Sequence, residues 1–223
     1  MTLLDTFFNG QVMLSAFPAL MRGLLNTLLL GLLSIGIGIP LGLMISLIRL
    51  YAPRPFRWLA IGYIDIFRAM PVLVVLILIY YALPFVGIRL SSWVSATMAF
   101  TFIMSAYSAE VFRSGIESIP KGQFEAAQAL GLPFLLTLRK VVLPQAIRLV
   151  IPPTTSNCVS MFKDTSLASA VALPELLKEA NNAQALYANP SPLIGAAIIY
   201  LAFLWPMVRF VGYLEKRSKA VAH

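Results

Sequence analysis

Few residues in this chain have the type and spacing to do chemistry. They are carboxylates, lysines and hydroxyls rather than a catalytic set. No G-x-x-x-x-G-K-[ST] occurs to cradle nucleotide phosphates, and neither H-E-x-x-H nor G-x-S-x-G is present. The single histidine is His223, at the end of the sequence, so no imidazole base is available to the interior. The single cysteine, Cys158, lies in an apolar stretch and reads as a small buried residue; no metal-ligand spacing exists. No catalytic or metal site is expected.

Two groups remain. Glu110 ends an uncharged run that carries Thr101, Ser105, Tyr107 and Ser108, and positions 101, 105 and 108 share one helical face. An ionisable group inside a membrane helix is a functional candidate by default. Glu110 therefore either lines a solute path or pairs with Arg113 one turn on. Lys163, Asp164, Thr165 and Ser166 form the second group, which offers complementary partners to a zwitterion. The plainer alternative is a helix cap at Asp164 or Thr165 beside a solvated lysine. Asp65 and Arg68, three apart, read as a structural pair.

A third stretch, 125–144, is strongly patterned without being simply hydrophobic. Glu125, Ala126, Ala127, Gln128, Ala129 and Leu130 favour a helix; Gly131 breaks it, and Pro133 suits the first turn of a second short one. A helix lying on the bilayer surface is one reading, but the acidic start fits it poorly. A docking knob for a soluble partner fits better.

The elements that must position these groups are membrane helices. Hydrophobic residues make up 59% of the chain and charged ones 12%, against about 25% charged in soluble domains. Mean hydropathy is +0.84. The expected architecture is all-α: a polytopic membrane protein forming one domain over 1–223, with five transmembrane helices near 23–48, 59–84, 92–115, 142–162 and 191–212. The first contains a Gly38/Gly42 pair suited to close helix packing, and Pro40 as a possible kink. The fourth is interrupted by Arg148 and by Pro152-Pro153, and 163–189 reads as a polar loop or short helix. Met1 to Arg22 carries Asp5 and no basic leader, so no cleavable signal is expected.

Basic residues set the orientation. Arg49, Arg54 and Arg57, then Arg113, Lys121, Arg139 and Lys140, then Arg209, Lys216, Arg217 and Lys219 fall on one side; charges on the other side cancel. By the positive-inside rule the N-terminus is outside, the C-terminus is cytoplasmic and 121–140 faces the cytoplasm. The net charge of +8 thus reflects topology, not nucleic-acid binding.

Glu125-Ala126-Ala127, Gly131 four residues later and the closing Leu143-Pro144 resemble the EAA motif of binding-protein-dependent ABC importer permeases; Val141 replaces the usual isoleucine. Phe67-Arg68-Ala69-Met70-Pro71, the run from Tyr107 to Arg113, Lys121-Gly122-Gln123, Leu143-Pro144-Gln145-Ala146 and Lys163 to Leu167 resemble the polar amino acid (His/Glu/Gln/Arg-type) permeases of that group. The resemblance implies a type I ABC importer permease fold in the inner (cytoplasmic) membrane of a bacterial cell. It implies that Glu125, Ala126, Ala127 and Gly131 dock an ABC ATPase dimer, and that no cofactor binds this chain, since ATP and Mg sit on that ATPase. It further implies an extracytoplasmic solute-binding protein that delivers an amino acid, with Glu110, Lys163, Asp164, Thr165 and Ser166 as solute contacts. Five helices enclose little space, so a second permease subunit, identical or paralogous, is expected. A related importer for another small polar solute is the alternative, and further off an ATP-independent channel or secondary transporter.

Overall fold

The computed structural model describes residues 6–221, with side chains to Lys216; Asp5 and His223 lie outside them, as do the side chains of Arg217 and Lys219. No strand occurs among the described residues. In order the elements are α1 (Gly10–Tyr51), α2 (Arg54–Ala69), α3 (Val72–Ile77), α4 (Ser92–Glu117), α5 (Lys121–Ala129), α6 (Phe134–Thr137), α7 (Leu143–Asp164), α8 (Leu176–Tyr187) and α9 (Ser191–Val221).

Length and apolarity qualify α1 and α9, the latter over Ser191–Lys216, to cross a membrane; a third qualifies if the bent pair Arg54–Ala69 and Val72–Val86 counts as one. The expected 59–84 helix is thus interrupted: the chain turns by 107° between the two pieces, at Met70-Pro71. Pro71 has no N–H and fixes its φ at −60°, so it starts a new helix as its N-cap instead of continuing the old one. Pro40 does not have that effect, since α1 runs unbroken through it.

Two prolines are reached through π turns. Leu78–Ala82 precedes Pro84, and Leu138–Val142 precedes Pro144. A proline ring clashes with the carbonyl four residues back, here Tyr80 and Lys140, and both sit in the widened turn that relieves the clash. Helical backbone therefore continues from Phe134 to Asp164, straight through Pro152 and Pro153. The polar loop or short helix expected after it is helical: a 3-10 helix, Thr165–Val171, followed by α8.

The chain divides into two compact units. One gathers residues up to 36, 70–101 and 158–209; the other gathers 37–69, 102–157 and the remainder from 210. Within the first, Ala16 and Leu20 pack with Leu176, Ala180, Ala183 and Ala196. Within the second, Ile45, Ala60, Ile64 and Ala109 form one cluster, and Ile116, Ile119, Leu138, Val142 and Ala146 another.

Gly38 and Gly42 set how closely α1 approaches α4 in the second unit. A Cβ on Gly42 would lie 2.5 Å from Ser108 Cβ and 2.7 Å from the Ser105 carbonyl, and one on Gly38 would lie 2.7 Å from Met104 Cβ. Backbone cannot yield as a flexible side-chain tip does. Gly42→Val should therefore destabilise the folded protein by about 1–3 kcal/mol, whereas Gly62→Ala, with open space around it, should not. Melting temperatures of both variants in detergent check this; equal stability would remove the tight contact from the account.

Candidate functional site

Glu110 of α4 gathers arginines from two other helices and its own. Its Oε2 accepts from Arg49 Nη1 at 2.9 Å and lies 3.5 Å from Arg68 Nη1, and its Oε1 accepts from Arg113 Nη2 at 2.5 Å. Arg113 Nη1 also donates to Glu117, one turn further on. The Arg68 guanidinium lies 5.9 Å from the centre of the Tyr107 ring, within reach of a cation–π attraction. The pairing of Glu110 with Arg113 read from spacing is present, but it is one contact of three. Both carboxylate oxygens are occupied, so a solute cation would have to displace an arginine to reach it.

The expected Asp65–Arg68 pair is not formed among the described residues. Asp65 is exposed and Arg68 turns to Glu110 instead. An ion pair between exposed side chains gains little, whereas the less solvated Glu110 attracts more strongly at the same distance. The polar face of α4 is likewise spent inside the protein. Ser105 Oγ meets Tyr63 Oη at 2.6 Å and the Phe102 carbonyl at 2.9 Å, and Ser108 is packed under Gly42. Thr101, Ser105 and Ser108 are all buried. They do not line a path in this chain.

The second group belongs to the other unit. Thr165 is fully buried and its Oγ1 donates to the Phe162 carbonyl at 2.7 Å. Ser166 Oγ donates to the Lys163 carbonyl at 2.8 Å. Asp164 is helical (φ −68°, ψ −22°) with no side-chain capping bond, so the cap alternative is not realised: the backbone passes directly from α7 into the 3-10 helix. Lys163 and Ser166 alone of the four line a cavity of about 500 Å³ with Leu177, Leu193, Tyr200 and Leu204.

The 125–144 stretch forms two helices with a turn between them. Gly131 has φ +74°, and its N–H donates to the Gln128 carbonyl while that of Leu132 donates to Ala127. This paired closure requires a left-handed residue, which glycine adopts without strain. Pro133 is the N-cap of α6 rather than its first residue. Of the expected docking residues, Glu125 and Ala126 are exposed, but Ala127 is buried against the chain's own core and Gly131 acts through its backbone. The apolar surface here is larger than the motif suggested: Leu130 is 79% exposed and Leu135 73%, with Phe134 beside them.

Arg49 and the Glu175–Tyr200 pair were not singled out by sequence. Arg49 lies 61 residues from its partner, with no local signal. Glu175 is fully buried and caps α8, its oxygens accepting from Leu177 N, Lys178 N and Tyr200 Oη at 2.6–2.9 Å. Glu is not among the usual capping residues, so the cap at Glu175 carried no plain signal in the sequence. Cys158 is half-buried, less enclosed than its apolar surroundings implied.

The geometry is that of an all-helical protein with an arginine clamp on Glu110 and two short helices, α5 and α6, joined at Gly131. The family described as binding-protein-dependent transport system inner membrane component matches residues 38–220. The chain belongs to this family. It is a transport component of the inner membrane rather than an enzyme. A probable amino-acid ABC transporter permease, YckA of Bacillus subtilis, is 36% identical over 96% of this chain and 95% of its own length. The L-cystine transport system permease TcyB of the same organism is 38% identical over 91% of this chain and 88% of its own. Among solved structures, a crystal structure of an amino acid ABC transporter with histidines superposes with a TM-score of 0.84 at 31% identity, covering 92% of this chain and 96% of that one. An inward facing methionine ABC transporter shares the fold, with a TM-score of 0.71 at 20% identity over 90% and 96% of the two chains. The all-α ABC importer permease fold expected from the sequence is the one observed, with two or three helices among the described residues meeting the length and apolarity of a span rather than five.

Two outcomes follow for this permease. Glu110→Gln should lower detergent stability, and a double-mutant cycle with Arg49→Gln should return a coupling of about 1 kcal/mol that shrinks with added salt; strict additivity would remove the clamp. Burial, against the opposing hydrogen bonds from Leu177, Lys178 and Tyr200, raises the Glu175 carboxyl above its ordinary value. A raised acid stabilises the fold most at pH below its unfolded value and loses that contribution as pH climbs through the folded one. The melting temperature of the native permease relative to Glu175→Gln should accordingly fall as pH rises from about 4; a rising difference would contradict the shift.

Proposed function

We propose that this chain is the permease subunit of an ATP-driven ABC importer for an amino acid. The family match carries the reading, and the amino-acid relatives support the cargo class. No autonomous channel needs a binding-protein partner, so the ATP-independent alternative has nothing in its favour. In this reading the chain crosses the membrane five times, the third and fourth crossings being made by α4 and α7, with the N-terminus outside and the C-terminus in the cytoplasm. Membrane helices need not be uniformly apolar where neighbours cover their polar side chains, as Ser105 and Ser108 are covered here.

ATP and Mg are bound by a separate ATPase dimer. It grips α5 and α6 through Glu125, Ala126 and the exposed Leu130, Phe134 and Leu135, with Gly131 holding the turn. Ala127 anchors that helix to the permease. A second permease subunit, identical or paralogous, completes the enclosure, and an extracytoplasmic binding protein delivers the solute. ATP-driven closure rocks the pair of permeases between inward and outward access. Lys163 and Ser166 contact the solute, with Asp164 beside them and Thr165 fixing the backbone. Glu110 faces the path from within its arginine clamp.

Glu125→Lys, at an exposed position, should leave insertion and stability unchanged yet cut ATP-dependent uptake into reconstituted vesicles at least tenfold; Gly131→Pro, which cannot adopt the left-handed turn and removes the N–H bonded to Gln128, should cut uptake as far and lower stability as well. Uptake at the native rate in both variants would overturn the docking assignment.

A further inference from the structure

Resting on the importer reading above, we infer that Tyr51 is a positioning residue for transport. Its ring passes the displacement of α6, a helix the ATPase grips, to the helices tied together at Glu110.

Along the chain α6 is joined to α5 through the turn at Gly131 and to α7 through the π turn Leu138–Val142. The chain gives it no short connection to α1 or α2. α1 ends at Tyr51, whose ring meets that of Phe134, the first residue of α6, with centroids 4.9 Å apart and planes at 70°. In such an edge-to-face pair the positive edge of one ring meets the negative face of the other, so orientation is held as well as distance. Phe134 is 51% exposed. Part of its ring is therefore covered by Tyr51 while the rest stays open to the ATPase. The Tyr51 hydroxyl makes no hydrogen bond among the described residues, so the ring itself is the contact.

The last turn of α1 is a junction. Three consecutive residues attach it to three other helices of the same unit. Arg49 donates to Glu110 of α4 at 2.9 Å, the Leu50 carbonyl accepts from Arg57 of α2 at 3.1 Å, and Tyr51 meets α6. Glu110 extends the tie, since Arg113 also donates to it and Arg68 of α2 lies 3.5 Å away. Arg49 and Tyr51, two residues apart, leave α1 in directions about 200° apart. A helical turn held from opposite sides moves as one piece, and coupling travels through such packed side chains and rigid elements. Displacing Phe134 therefore carries α1 and α2 with it, together with α4.

The test is the ratio of ATP hydrolysed to amino acid taken up, in vesicles holding the permease–ATPase complex and its binding protein, with a radiolabelled mixture of L-amino acids as probe. Tyr51→Ala should keep the ATPase in the purified complex and hydrolyse ATP within about twofold of the native rate, yet raise the ratio about fivefold or more. Tyr51→Leu, which fills the space without a ring, should behave alike, and Tyr51→Phe, which keeps the ring, should match the native ratio. Arg49→Gln should raise the ratio as Tyr51→Ala does, and the double variant no further, because both lie on one route. A merely structural role would lower hydrolysis and uptake together and leave the ratio unchanged. That result overturns the inference. So does loss of the ATPase from the Tyr51→Ala complex, a Tyr51→Phe ratio as high as that of Tyr51→Ala, or a double variant whose effects multiply. The importer reading fails separately, if the native complex takes up no amino acid with ATP.

Discussion

Hydrocarbon offers no hydrogen bonds, so a chain that crosses it has to satisfy its own peptide groups. Helix is the one local solution, and almost every described residue adopts it. The exceptions are managed within the same rule. Where proline removes a donor and crowds the carbonyl a turn below, the backbone widens to a π turn and continues, at Leu78–Ala82 and Leu138–Val142. Where proline follows a short break, as at Pro71, the chain changes direction instead. The buried carboxylates and some hydroxyls are handled in the same manner, whereas Ser34, Ser46, Ser95, Thr101 and Ser108 are buried without a hydrogen-bond partner among the described residues. Glu110 has arginines from three helices, Ser105 has Tyr63, and Glu175 has two amides and a phenol.

How much of this was legible in the sequence varies with the range of the interaction. Helical class, the Gly38/Gly42 contact and the break at Gly131 follow from composition or from spacings of a few residues, and all are observed. The α4 serines were read on the right face but given the wrong neighbour, because periodicity identifies a stripe without saying what covers it. Arg68 has two carboxylates available: Asp65 near in sequence and Glu110 distant. Folding favours the distant one, since it is less solvated. Arg49 could not have been found at all, because nothing local marks an arginine at a helix end as the partner of a glutamate on another helix.

The two candidate sites differ in what they have left to offer. Glu110 is saturated, so its value is in holding α1, α2 and α4 at fixed separation in its unit. Lys163 is exposed, makes no ion pair among the described residues and lines open volume. Spacing left Glu110 evenly balanced between a solute path and an ion pair, and read the Lys163 group rather as a helix cap beside a solvated charge. The distinction lies in how many partners each already has, a quantity that depends on packing and not on residue type.

The π turn at Leu138–Val142 has one more consequence. It amounts to a single residue inserted into an otherwise α-helical run from Phe134 to Asp164. Each residue of an α-helix advances the azimuth by about 100°. Deleting one residue there would return the run to a regular helix and turn every later side chain by that angle. Val150 would be turned away from Gly115 of α4, though neither residue had changed. That insertion is therefore a phase setting, and which face of α7 meets α4 is decided about two turns earlier, at a proline.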